Sequence, residues 1–193
     1  MGKVRDAAWY DARFADPDSR YHWKPERLPY LHLWNLAISY MQEGDDVIDI
    51  GCGPGHLAEL ATRTMKIRYR GYDFSEQALQ MARKRAPSGT FFCWDATKDP
   101  VPPPLRSRTV YVSTEFLEHV TDDLGILRQI PTGALVLLTA PARDDPGHVR
   151  FFKTIAEVEE RYAEVLDLVE VQRYEATHWK RGAVWYFLAG TRK

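Results

Sequence analysis

The chain has 193 residues, 45% hydrophobic and 27% charged, with 26 Lys+Arg against 27 Asp+Glu and a formal net charge of -1. Length and composition fit one soluble globular domain with a sizeable core, and the balanced charge argues neither for nor against a nucleic-acid partner. No apolar run approaches a membrane span, the N-terminus lacks an apolar signal region, and Cys52 and Cys93 have no metal-ligand spacing, so a cytoplasmic protein without a membrane partner is expected.

In chain order, residues 1–43 form an N-terminal segment dense in aromatics, including Trp9, Tyr10, Phe14, Tyr21, Trp23, Tyr30 and Trp34. Its second half, "ERLPYLHLWNLAISYM", spaces Leu31, Trp34 and Ile38 at helical intervals and predicts a helix. From residue 44 to 193 the rhythm changes. "DVIDI" reads as a buried strand, "GHLAELATRTM" as a helix, "IRYRGYDF" as a strand, "SEQALQMARKRA" as a helix capped by Ser75, and "TFFCWDA" as a third strand. A proline-rich loop, "TKDPVPPPLRSR", precedes the strand "TVYVST". Helical stretches are predicted through "EFLEHVTDDLGILRQI", ending at Pro131-Thr132-Gly133, before the strand "ALVLLTA". Last come a helix, "FFKTIAEVEERYAEV", and two strands, "LDLVEVQRYEA" and "AVWYFLAGT", spaced for an antiparallel hairpin. Alternating strands and helices predict an α/β fold with a mostly parallel sheet.

The first strand runs into "DIGCGPGH", where glycines stand at 51, 53 and 55. Ligands of open α/β sheets bind at such a strand–helix turn, and glycine lets a ligand lie against the backbone. The third glycine comes one position too early for a dinucleotide fingerprint. "DIGCGPG" instead resembles the first motif of the class I S-adenosylmethionine (SAM) methyltransferases. "GYDFS", "FFCWDA", "STEFLEHV" and "ILRQIPTGALVLLTAP" resemble that family's later segments in the right order, from about Asp45 to Lys193.

The resemblance implies a Rossmann-like three-layer sandwich with a seven-stranded, mostly parallel sheet and a C-terminal antiparallel hairpin. It implies SAM as cofactor, held by Asp49, Gly51, Cys52, Gly53, Gly55, Asp73, Phe74, Asp95, Ala96 and Ser113. Asp73 would take the ribose hydroxyls and Asp95 the adenine amino group, with Cys93 and Trp94 beside the ring. Purely structural readings stand beside these: Asp49 and Asp73 as helix caps, Asp95 as a turn former, and Cys52 as a small residue in a tight loop.

For the methyl acceptor, Glu115, Glu118 and His119 have i, i+3, i+4 spacing, which predicts one helical face. His148 follows the loop leaving the fifth strand. His148, Glu115 and His119 are the candidate catalytic residues. The set is also similar to the metal site of small-RNA 3′-end 2′-O-methyltransferases, which would place Glu115, Glu118, His119 and His148 around a divalent ion, with nucleic acid as acceptor. "EHV" and a later "HVRFF"-like segment are also common in metal-free methyltransferases of small metabolites. The expectation is therefore a metal-free enzyme acting on an oxygen or nitrogen of a small molecule, and a non-catalytic SAM-binding protein is the rival. The N-terminal segment is expected to form the lid and to offer Tyr21, His22, Trp23 and Arg27 to the acceptor. The turn "THWKRG", with His178, Trp179, Lys180 and Arg181, reads as a solvated tip or as a contact for a phosphate or base.

Overall fold

Side chains alternate across β1 (Asp46–Ile50), so Val47 enters one core while Ile48 and Ile50 enter another. The same alternation recurs in β4 (Thr109–Ser113) and β5 (Leu135–Pro141): Val110, Val112 and Leu137 face one side, Tyr111, Val136 and Leu138 the other. A sheet apolar on both faces needs helices on both. The computed structural model, which describes residues 2–177, 179 and 182–193, shows that arrangement. The seven strands run in the order β3-β2-β1-β4-β5-β7-β6, with β2 at Arg68–Asp73 and β3 at Thr90–Cys93. All neighbours are parallel except the pairs made by β7 (Ala183–Arg192) with β5 and with β6 (Leu166–Ala176). A bulge between Leu168 and Glu170 leaves Val169 75% exposed on the β6 edge.

Helices α2 (Leu31–Ser39), α3 (His56–Thr64) and α4 (Glu76–Arg85) supply Leu33, Ile38, Leu57, Leu60 and Leu79 to one core. Helices α5 (Asp123–Arg128) and α6 (Ile155–Tyr162) supply Ile126, Leu127, Val158 and Tyr162 to the other. Ser75 caps α4 as expected, accepting from the Ala78 N–H. Asp46 and Arg70 form an ion pair below the sheet's N-terminal edge, with side chains 0% and 7% exposed. The carboxylate accepts from Arg70 Nε (3.0 Å) and Nη2 (2.6 Å), from the Leu105 N–H (2.9 Å) and from Thr109 Oγ1 (3.3 Å). Arg70 Nη2 donates in turn to the Pro103 carbonyl, so this pair holds down the proline-rich loop.

Several elements differ from the sequence expectation. The N-terminal segment contains a helix that periodicity did not announce, α1 (Ala7–Ala15), whose cap Asp6 accepts from the Trp9 N–H. The helix predicted from Glu26 is a short 3-10 turn over Pro25–Arg27, and α2 starts only at Leu31. β3 stops at Cys93. The predicted helical face of Glu115, Glu118 and His119 does not form. Glu115 has φ +56, a left-handed conformation that ends any helix there, and only a 3-10 turn over Leu117–His119 follows. The last helix begins at Ile155 with Thr154 as its cap, leaving Phe151 and Phe152 in the approach loop. In the hairpin turn, His178, Lys180 and Arg181 lie outside the described residues, while Trp179 meets Trp23 edge-on at 6.3 Å.

Candidate active site

The sheet's order reverses between β1 and β4, the switch point where open α/β sheets bind ligands. The loop leaving β1 there holds three glycines, all at positive φ, that differ in what surrounds them. A Cβ on Gly51 would fall 2.2 Å from Phe116 Cγ, and one on Gly55 would fall 2.9 Å from Ala82 Cα of α4. A Cβ on Gly53 would meet nothing within 4 Å. Gly51 and Gly55 thus answer to packing, whereas Gly53, at φ +50, presents bare backbone to open space.

Asp73 at the end of β2 ties this loop down: its carboxylate accepts from the Gly53 N–H and the Ser75 N–H, both at 2.9 Å. Burial pushes its carboxyl up to about 6, against those two hydrogen bonds. A carboxylate has about four lone-pair sites, so acceptor capacity remains for a ligand. Asp49 lies beneath the loop, 1% exposed, and accepts from Tyr69 Oη at 2.5 Å. Burial pushes its carboxyl up to about 7.

A cavity of about 910 Å³ opens above Gly53 and runs across to β4 and β5. Gly51, Cys52, Gly53, Asp73, Phe74, Asp95 and Ala96 line it, as do Glu115, His119 and His148. Asp49, Gly55 and Ser113 lie outside the lining; Ser113 Oγ donates to the Ile50 carbonyl at 2.9 Å. Asp95 is turned back on its own loop, accepting from the Thr97 N–H and from Lys98 Nζ at 2.7 Å. Such a bare-backbone cradle beside a buried carboxylate suits a nucleoside-bearing ligand.

Of the acceptor residues expected from the N-terminal segment, only Tyr21 reaches the cavity. His22 is bonded through Nε2 to the Phe14 carbonyl (2.9 Å), Arg27 lies 4.6 Å over the Trp23 ring, and Trp23 packs toward Trp179. The side chains that do line it from this segment include Tyr10, Arg13, Arg20, Tyr30 and Trp34. No sequence periodicity marks α1 and the following turn, so Tyr10 and Arg20 carried no signal beyond their aromatic and basic character. The Gly2 and Lys3 N–H groups donate to the His148 and Pro146 carbonyls, so the chain start straps the loop after β5.

At the far end of the cavity, Glu115 accepts from Trp185 Nε1 (2.9 Å) and Thr139 Oγ1 (3.2 Å). Glu118 is 1% exposed, and neither of its carboxylate oxygens has a hydrogen-bond partner among the described residues. Ligand atoms of Glu118, His119 and His148 lie within 4.8 Å of one another, and Glu115 is not part of this group. His119 Nδ1 is 2.9 Å from the Gly147 carbonyl and His148 Nδ1 is 3.2 Å from that of Arg143. A carbonyl only accepts, so each neutral ring carries its proton on Nδ1 and keeps a lone pair on Nε2. Burial holds both imidazoles below their ordinary range, and for His148 the neighbouring His119 adds to it. These histidines are therefore neutral bases at neutral pH.

Burial raises the Glu115 and Glu118 carboxyls well above the usual carboxylate range, and the charge of Glu118 adds to the rise at Glu115. Above about pH 7, unfolded glutamates have lost their protons while the buried pair retains them, so stability falls as pH rises. The depressed histidines act with the opposite sign, but only below the unfolded imidazole range near ~6.5. The urea midpoint of the apoprotein in EDTA is expected to drop between about pH 7 and about pH 8.5, and Glu115→Gln to flatten the drop. A midpoint constant over that window would mean that the pair is already ionised in the folded state.

Residues 47–131 match the family described as "Methyltransferase domain". The trans-aconitate 2-methyltransferase of Rhodopseudomonas palustris strain BisB18 is 33% identical over 59% of this chain and 46% of its own length. The ubiquinone biosynthesis O-methyltransferase of Vibrio campbellii is 31% identical over 65% of this chain and 53% of its own. The chain thus spans about half the length of the curated relatives it matches. Among solved structures, the N-methyltransferase NodS of Bradyrhizobium japonicum, in complex with S-adenosylhomocysteine, superposes with a TM-score of 0.67 at 17% identity, covering 96% of this chain and 97% of that one. Residues 47–131 thus carry a methyltransferase domain, and the whole chain has the fold of the NodS methyltransferase.

Proposed function

We propose that the chain transfers the methyl group of SAM to an oxygen or nitrogen of a small-molecule acceptor. One observation carries this reading. A single cavity runs from Gly53 and Asp73 to His119 and His148, and neither Trp23 nor Phe151 lines or plugs it. A SAM-binding protein without catalysis has no need of an acceptor chamber joined to the cofactor cradle. SAM supplies the methyl: its S–CH3 bond breaks as the bond to the acceptor forms, leaving neutral S-adenosylhomocysteine. Gly53 and Asp73 orient the nucleoside, the N-terminal segment excludes water, and His148 Nε2 takes the acceptor's proton. The named relatives act on small molecules, which supports the acceptor class.

The test is methyl transfer from labelled SAM into the small-molecule fraction of a cell extract, with RNA and protein fractions in parallel. Label confined to RNA or protein would sink the acceptor class. SAM binding without transfer to any fraction would leave only the non-catalytic rival. His148→Ala should lower turnover by roughly 100-fold.

The unpartnered Glu118, which does not itself line the cavity but stands beside His119 and His148, favours a second reading. A buried carboxyl group without a hydrogen bond is costly, and two imidazoles with free Nε2 stand beside it. Backbone carbonyls orient both rings from behind, as they do for metal-bound histidines. Glu118, His119 and His148 would hold a divalent transition cation better than Mg²⁺, and such an ion would lower the acceptor's pKa. If it is used, dialysis against a chelator abolishes transfer and Mn²⁺ or Co²⁺ restores it; full activity after chelation removes this reading.

A further inference from the structure

Five lysine and arginine side chains line the cavity, and two of them have polar partners. Arg5 donates to the Pro146 carbonyl at 3.5 Å, Lys98 pairs with Asp95 at 2.7 Å, and Arg13, 4.1 Å over the Trp9 ring, is exposed. Arg143 is exposed at the rim. Arg20 is different: it is half-buried in the wall, and its guanidinium makes no hydrogen bond and no ion pair among the described residues.

Two acids act on Arg20 through their charge, but neither bonds to it. Glu115 faces it, but its carboxyl oxygens accept from Trp185 and Thr139. Asp145 faces it too, and its side chain accepts from the Gly147 N–H. The guanidinium lies 5.9 Å from the centroid of the Tyr30 ring, which is itself braced against Trp34 and Trp185. A planar cation on an aromatic face keeps its edge donors free, and a guanidinium has five of them. Free guanidinium donors in a cavity wall bind an anion through charge-assisted hydrogen bonds, so a ligand anion is the natural complement.

Resting on the methyltransferase reading above, we propose that Arg20 is the anchor for a carboxylate on the methyl acceptor, which makes the acceptor class a small organic acid. The carboxylate binds the guanidinium edge, and the flat remainder lies between Tyr21, Tyr30 and Trp34. Arg20 thereby selects the acceptor while taking no part in cofactor binding.

The test uses protein saturated with S-adenosylhomocysteine, titrated by calorimetry with trans-aconitate, citrate, 4-hydroxybenzoate, their neutral amides and inorganic phosphate. At least one carboxylate should bind, its amide should not, and Arg20→Gln should weaken the carboxylate by about 10- to 100-fold. Arg20→Lys should recover part of the loss, and S-adenosylhomocysteine affinity should be unchanged in both variants. The proposal is overturned if no carboxylate binds the loaded protein, if amide or phosphate binds as well as carboxylate, or if Arg20→Gln leaves carboxylate affinity intact. Failure of S-adenosylhomocysteine itself to bind would instead strike at the methyltransferase reading.

Discussion

Gly53→Val is expected to weaken SAM and S-adenosylhomocysteine binding by roughly 100-fold or more while the protein stays folded. Its Cβ meets no protein atom within 4 Å, so the side chain projects into the space above the loop rather than into the core. Only the left-handed backbone at φ +50 opposes it, which costs about 1–2 kcal/mol. Gly55→Val, two residues on, should fail in the opposite way. Its Cβ would press on the backbone of α4 at Ala82, so it should lower stability by about 1–3 kcal/mol and lose binding only through unfolding. Calorimetry with S-adenosylhomocysteine, run beside urea denaturation, separates the two outcomes. Wild-type affinity in folded Gly53→Val would show that the ligand does not lie against this loop.

Asp46→Ala should cost about 3–5 kcal/mol of stability, because it strands Arg70 in a site where its side chain is only 7% exposed. The variant also orphans the Leu105 N–H, so the proline-rich loop loses its anchor. Asp46→Ala combined with Arg70→Met should be less destabilised than Asp46→Ala alone, since no buried charge is then left over. A loss below about 1 kcal/mol for the single variant would mean that water replaces the carboxylate and that the pair is not a buried clasp.

Local chemistry made much of the fold legible in the sequence. Val47, Ile48 and Ile50 alternate between two cores, Ser75 caps α4, and the prolines of residues 100–104 break regular structure. Each of these depends on a few neighbouring residues, as does the glycine-bearing turn that carries the family resemblance. The site was less legible, because its residues meet only through the fold. Glu115, Glu118 and His119 have helical spacing, yet the bond from the Glu115 N–H to Thr139 Oγ1, 24 residues away, accompanies a left-handed backbone there. Gly51, Gly53 and Gly55 look equivalent in the chain; Phe116 and Ala82 make them different. Trp23 and Arg27 look as able as Tyr30 and Arg20 to meet an acceptor, but Trp23 packs against Trp179 with Arg27 over its ring, and neither lines the cavity. The alternation of strands and helices behind the parallel core and the glycine-bearing loop were fixed by sequence, since periodicity and turn chemistry are short-range. The tertiary structure alone decided which side chains share the chamber, because Arg20, Glu115, His148 and Trp185 are brought together by packing between segments that carry no record of one another.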